Sequence, residues 1–114
     1  MTTATTTRLI TTLRALAEEC EHADEGTPGL GRRVEAALGF AEGGRIATDV
    51  GTAVCLMPSH QEWAVGNFPG NPHHFSASLG PWRYRVHTRC ATVPLAVCAV
   101  MLKLEAAILA ECDL

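Results

Sequence analysis

Arg83, Arg85, His87 and Arg89 alternate along residues 82–89, so in an extended chain all four point to one face. Trp82, Tyr84 and Val86 then point to the other. Guanidinium forks grip phosphates and carboxylates through paired N–H donors. His74, Ser76 and Ser78 alternate in the same way along residues 74–79, and on a neighbouring strand they would share that face. Hydroxyls beside guanidinium groups suit a nucleotide, a phosphodiester backbone or an acidic protein surface. The same alternation also describes a solvated sheet face, or an edge strand charged to deter strand addition.

A cluster of the opposite sign lies near the other end of the chain. Glu18, Glu19, Glu21, Asp24 and Glu25 crowd the end of a helical pattern, against the preference of the helix dipole. They read as a solvated acidic helix end or as a patch for a basic partner. Other chemistry is thinner. His73 and His74 are adjacent, so on a strand they face opposite ways, and with His60 they have no nearby carboxylate to complete a metal site. Ser59-His60 and His87 with Cys90 are the available nucleophile–base pairings, and neither has a third orienting group or a motif such as G-x-S-x-G. Gly43-Gly44 and Gly29-x-Gly31 lack the spacing and preceding strand of a phosphate loop. Trp63 and Trp82 could stack on a base, although strand aromatics of this phase belong to a core. The expectation is a protein that is not an enzyme, with no metal and no cofactor.

The elements that must carry these groups are legible in the pattern. Residues 1–6 read as a Thr-rich tail, followed by a single domain over 7–114. Leu9, Leu13, Leu16, Ala17 and Cys20 form one stripe of an amphipathic helix. Thr27-Pro28 restarts a helix with Leu30, Val34, Ala37 and Leu38 inward, and Gly39 ends it. Phe40 then packs inward, and Asp49 caps a short helix stopped by Pro58. Its inner face is Val50, Val54 and Met57, or else Ala53, Leu56 and Met57. Three strands follow at 62–68, 74–79 and 82–89, with turn chemistry in Pro69-Gly70-Asn71-Pro72 and Gly80-Pro81. Short connections make them antiparallel, with Trp63, Val65, Phe75, Ala77, Leu79, Trp82, Tyr84 and Val86 inward. Thr92 and Pro94 open a long helix over about residues 92–111, almost wholly apolar and so in need of cover on most of its circumference. The predicted class is α+β: a three-stranded antiparallel sheet packed by helices in an α/β/α layered sandwich.

Composition agrees with one domain of this kind. The chain has 114 residues, 47% of them hydrophobic and 18% charged, and can bury a core without staples. A net charge of −3 argues against general affinity for DNA or RNA. The five cysteines include no C-x-x-C pair; Cys20, Cys55 and Cys98 read as small core hydrophobes. The start MTTATTTR has no signal core, and no run is read as a membrane span, so a cytoplasmic setting is expected. Low charge and a broadly apolar last helix point to a homo-oligomer, a two-fold dimer.

The order of these signals resembles the phage ABA-sandwich domain family over residues 30–110. The resemblance is carried by Glu35-Ala36-Ala37-Leu38-Gly39-Phe40, by the capped helix from Asp49 to Leu56-Met57-Pro58, by the strand E-W-A-V, and by A-T-x-P-L-A-V-C-A-V-M-L over residues 91–102. Family members show a G-W-x-W-x-V strand, where this chain has Glu62, and a final A-T-P helix, into which this chain inserts Val93. It implies a layered phage or prophage protein and supplies no catalytic residues. The expected role is a phage accessory protein acting in the host cytoplasm by protein–protein binding. Its target would be a host complex of an antiviral defence system such as a CRISPR effector, with the acidic patch as its charged surface. The alternatives are a sponge that sequesters an anionic nucleotide signal on the Arg/His face, and a virion structural or assembly protein.

Overall fold

Residues 94–102 contain no ionisable side chain except the thiol of Cys98, and a helix built from them is stable only where protein covers it all round. In the computed structural model, which describes residues 4–58, 62–68, 71–80 and 85–112, that stretch is buried throughout. It is the N-terminal half of α4 (Val93–Cys112). The Thr92 hydroxyl accepts the Leu95 N–H at 3.3 Å, capping the helix, and Pro94 sits in the first turn where no N–H is needed. The window Val93–Glu111 is long and apolar enough to cross a membrane by length and composition, contrary to the expectation that no run is; 61% of it is buried inside the protein.

Three helices wrap α4 away from the sheet. α1 (Ala4–His22) lies along it, burying Ile10, Leu13, Leu16, Ala17 and Cys20. The stripe is rotated from the expected one at its start, since Ile10 is inside and Leu9 is 40% exposed. The helix also takes in Ala4, Thr5 and Thr6, which the sequence pattern places in the tail. Threonine is a weak helix former, and here Thr11 and Thr12 give their hydroxyls to the Thr7 and Arg8 carbonyls one turn back, both at 3.0 Å. α2 (Pro28–Leu38) begins and ends as its sequence signals predict. The Thr27 hydroxyl caps the Leu30 N–H at 3.1 Å, and Gly39 adopts the left-handed φ of 85° that closes the helix. A 3₁₀ turn at Arg45–Ala47 follows, unforeseen, and then α3 (Val50–Leu56), capped by Asp49. The Thr52 hydroxyl bonds the Asp49 carboxylate at 2.6 Å and holds its pKa below the ordinary value. Of the two faces considered for α3, Ala53, Leu56 and Met57 turn inward and Val50 is 50% exposed. That phase puts Cys55 outside, correcting its reading as a core residue.

The sheet has the order β1-β2-β3, with β1 (Trp63–Phe68), β2 (Asn71–Leu79) and β3 (Val86–Cys90) antiparallel throughout. β2 starts three residues earlier than predicted, and its register shifts between Asn67 and Phe68 of β1. Pro72, which has no N–H for the ladder, lies within that irregular stretch. α4 packs chiefly on β2 and β3, through the side that carries Ala77, Leu79 and Cys90. Trp63 faces the same side, opposite Leu79, but α4 reaches little of β1 and the indole is 44% exposed. The class is thus α+β, a three-stranded antiparallel sheet packed by helices. Its layers are centred on α4, with the sheet on one side of that helix and α1, α2 and α3 on the others. Cover of α4 falls to half-buried over residues 107–110, so little of its circumference is left for a second copy. Trp82, Arg83 and Tyr84 lie outside the described residues.

Candidate binding surface

Strand register sets which side chains share the outer face of the sheet. Ala64 pairs with Ser78 and Ser78 with His87; one row along, Gly66 pairs with Ser76 and Ser76 with Arg89. These side chains point away from α4. No element packs on them among the described residues: Ala64, Gly66, His87 and Arg89 are exposed, Ser76 and Ser78 half-buried. A Cβ built on Gly66 would meet nothing within 4 Å. Small residues thus floor a shallow depression of about 480 Å³, with His87 at its β3 side.

The predicted basic cluster is only partly assembled. His87, Arg89, Ser76 and Ser78 do share one face. Arg85 precedes β3, and its guanidinium is paired with the Glu62 carboxylate just before β1. His74 lies in β2, in the irregular stretch, and its side chain is outside what is described. Arg83 is also outside the described residues, as are His60 and Ser59.

The acidic set is divided in the same way. Glu18, Asp24 and Glu25 are exposed near the C-terminal end of α1. Glu19 makes a two-pronged ion pair with Arg33 of α2, both N···O distances 2.7 Å. Glu21 turns inward. Its Oε2 accepts from Lys103 Nζ at 2.6 Å and from the Thr88 hydroxyl at 2.8 Å, and Lys103 donates again to the His87 carbonyl at 2.8 Å. One ammonium therefore ties α1, β3 and α4 together. Glu21 belongs to the predicted acidic cluster, but nothing local in the sequence marks Lys103 as its partner; they lie 82 residues apart.

Among the described residues the most buried carboxylate is Glu35 of α2, 2% exposed, which no sequence pattern singles out as a site. Its Oε1 accepts the N–H groups of Glu42 and Gly44 at 3.0 and 2.9 Å, and its Oε2 accepts that of Ile46 at 3.2 Å. Burial alone raises a carboxyl pKa, but the backbone N–H groups of Gly44, Ile46 and Glu42 outweigh it, and the net pKa lies below the ordinary value. Gly44 has φ 86°, and a Cβ there would come within 2.2 Å of the Pro28 carbonyl oxygen. The carboxylate and this glycine fasten the 42–46 loop against α2. All three contacts are to backbone N–H groups of the loop, so the carboxylate serves the fold.

Cys90 is buried and packs toward the core, away from His87. Burial pushes its thiol up to about 11, only partly offset by a contact with the Thr88 hydroxyl, so it is no thiolate near neutral pH. Cys98 is likewise raised, by contact with Cys20 and then by burial. Among the described residues no three His, Cys, Asp or Glu side chains are placed to hold a metal ion. An apolar groove of about 260 Å³ lies between Leu38, Phe40, Leu56, Leu79, Met101 and Ile108, with Glu105 as its one charged residue among the described ones.

Compared with protein-family models, curated proteins and solved structures, the chain has no match. The likeness to phage ABA-sandwich proteins therefore rests on the sequence motifs alone.

Proposed function

We propose that the protein acts by binding another protein, without turnover, through the outer face of its sheet. The partner is a host complex, and the most specific form of the proposal is a phage-encoded inhibitor of an antiviral defence system. One observation carries the choice of surface: the outer face is free of helices among the described residues and floored by Ala64, Gly66, Ser76 and Ser78. A shallow, open, small-residue floor admits close approach by a partner's backbone or helix, whereas a small ligand is held best by a deeper pocket with converging groups. The acidic patch supports the inhibitor reading less than its sequence implied, since Glu19 and Glu21 are engaged within the chain.

A second reading has an observation of its own. Ser78 lies beside His87 and Ser76 beside Arg89, so a hydroxyl accompanies each cationic or ionisable group, an arrangement that suits an anionic nucleotide. Affinity capture from host lysate, run beside a thermal-shift panel of cyclic and linear nucleotides, separates the two. Wild-type protein should capture a defined complex that a Ser76→Glu, Ser78→Glu double variant fails to capture, with no nucleotide shift. A shift of several degrees with a cyclic nucleotide, lost in His87→Ala, Arg89→Ala and accompanied by no captured protein, would replace the inhibitor with the sponge.

A further inference from the structure

The two edges of the sheet are finished differently. Gly80 donates its N–H to the Glu62 carbonyl at 2.9 Å, in line with the register that pairs Trp63 with Leu79. Antiparallel ladders alternate, so Ala64 and Gly66 bond inward to β2 while Trp63, Val65 and Asn67 turn their N–H and C=O groups to the open side. Those groups have no partner among the described residues. Continuing the alternation across β2 turns the backbone of His87 to the outer side of β3. There Lys103 Nζ already occupies the His87 carbonyl at 2.8 Å, and α1 packs against the strand. One edge is closed by a lysine and a helix. The other is a strand, W-A-V-G-N-F, with no charge and no proline.

Uncharged edges of this kind, with no cover among the described residues, are templates for strand addition. We propose that β1 pairs antiparallel with β1 of a second copy of this chain, about a two-fold axis at Val65. In that register Val65 faces Val65, Trp63 faces residue 67 of the second copy, and Ala64 faces residue 66. Every outward N–H and C=O of Trp63, Val65 and Asn67 then meets its complement. Side-chain phase is kept as well: Ala64 and Gly66 of both copies extend the small-residue floor, and both Trp63 side chains stay on the α4 side. A shift by one residue would lose the hydrogen bonds and the faces together. A second copy fits better than an unrelated strand because the sequence is self-complementary in this register, small residue against small and valine against valine. The closed β3 edge stops growth at two chains, giving a continuous six-stranded sheet rather than a fibre. This pairing rests on the strand edge alone and stands whether or not the outer face binds a host protein.

Val65→Pro tests it sharply. The Val65 N–H is not used by the β1–β2 ladder, so proline removes the intermolecular donor on an edge strand that tolerates it. Sedimentation and light scattering of the full chain in reducing buffer, which excludes a Cys55 disulfide, should give about twice the chain mass of 12.2 kDa. Val65→Pro removes the reciprocal bonds at the axis and should weaken the dimer about thirtyfold or more, with the circular dichroism spectrum unchanged. Ala64→Lys is the second variant: it leaves the backbone alone and sets two lysines on diagonal positions either side of the axis, each opposite residue 66 of the other copy and within reach of the other ammonium group. If the proline variant fails to fold, the lysine variant decides. A wild-type monomer at micromolar concentration, or a dimer that survives either folded variant, would overturn the pairing.

Discussion

Glu35→Gln isolates what a buried carboxylate contributes to this fold. The amide keeps one oxygen, which can still accept from Glu42 and Gly44, but its NH₂ group must face the Ile46 N–H that Oε2 accepts at 3.2 Å. A hydrogen bond to a charged group is worth about 1.5–3 kcal/mol, and a buried donor left without a partner costs about 1–3 kcal/mol. Relaxation of the 42–46 loop recovers part of this, so the expected loss is about 2–4 kcal/mol at pH 7. Against a stability of about 5–15 kcal/mol the variant stays folded, with a Tm lower by about 10–20 °C. The pH dependence has a definite sign. The folded pKa of Glu35 lies below the ordinary carboxylate value, so its contribution is complete above the unfolded pKa of about 4.3. It is lost as pH falls through the folded value. Other carboxylates, such as Asp49 with its own lowered pKa, act equally in both proteins and cancel in the difference. The gap between wild type and Glu35→Gln, followed by urea unfolding from pH 7 down to about pH 3, should therefore narrow in acid. A gap under about 0.5 kcal/mol at pH 7, or one of constant size down the acid limb, would refute this account of the 42–46 loop.

Two further outcomes follow from the packing. Lys103→Met should cost about 1–2 kcal/mol, because it leaves the His87 carbonyl open and Glu21 with only the Thr88 hydroxyl; a folding midpoint unchanged in denaturant titration would show the ammonium to be dispensable. Thiol labelling under native conditions should modify Cys55 rapidly while Cys20, Cys90 and Cys98 react only as fast as the protein opens, and peptide mapping that found Cys90 labelled at the rate of Cys55 would contradict its burial.

What the sequence shows plainly are the features that act within a few residues. Thr27-Pro28, Gly39, Asp49 and Thr92 each sit at the helix end their type predicts, because caps bond three or four positions away. Alternation in β2 and β3 also carries over, since period two is local. Leu9 and Ile10 show where this stops. Both are apolar and adjacent, and only docking on α4 decides which of them is inside. Cys55 fails for the same reason: a seven-residue helix with apolar groups on several sides leaves its phase to its neighbours. Glu35 was hidden for a different reason. Its partners are backbone N–H groups, which carry no residue signature, and the nearest sequence sign is the pair Gly43-Gly44 whose conformation lets the loop approach.

The charged clusters show the deepest limit of linear reading. Glu18, Glu19, Glu21, Asp24 and Glu25 are one patch in sequence, as Arg83, Arg85, His87 and Arg89 are one stripe. In the fold Glu19 goes to Arg33, Glu21 to Lys103 and Arg85 to Glu62, each joining distant parts of the chain. The Glu19–Arg33 pair, exposed on both sides, contributes little to stability, about 0–1 kcal/mol, and the half-buried Glu21–Lys103 contact contributes more. Their consequence for recognition is larger, because a charge already matched within the chain offers a partner less than a free one. On the proposed reading, recognition then falls to surfaces where charge is scarce: the small-residue floor of the sheet and the uncharged edge of β1 beside it. These two surfaces are continuous. A second copy added at the edge would double the floor, so a partner seated across both halves would bind the dimer more tightly than a single chain. The Val65→Pro variant then tests both ideas in one preparation: as a folded monomer it should also lose affinity for whatever the sheet face captures, while keeping the face itself intact.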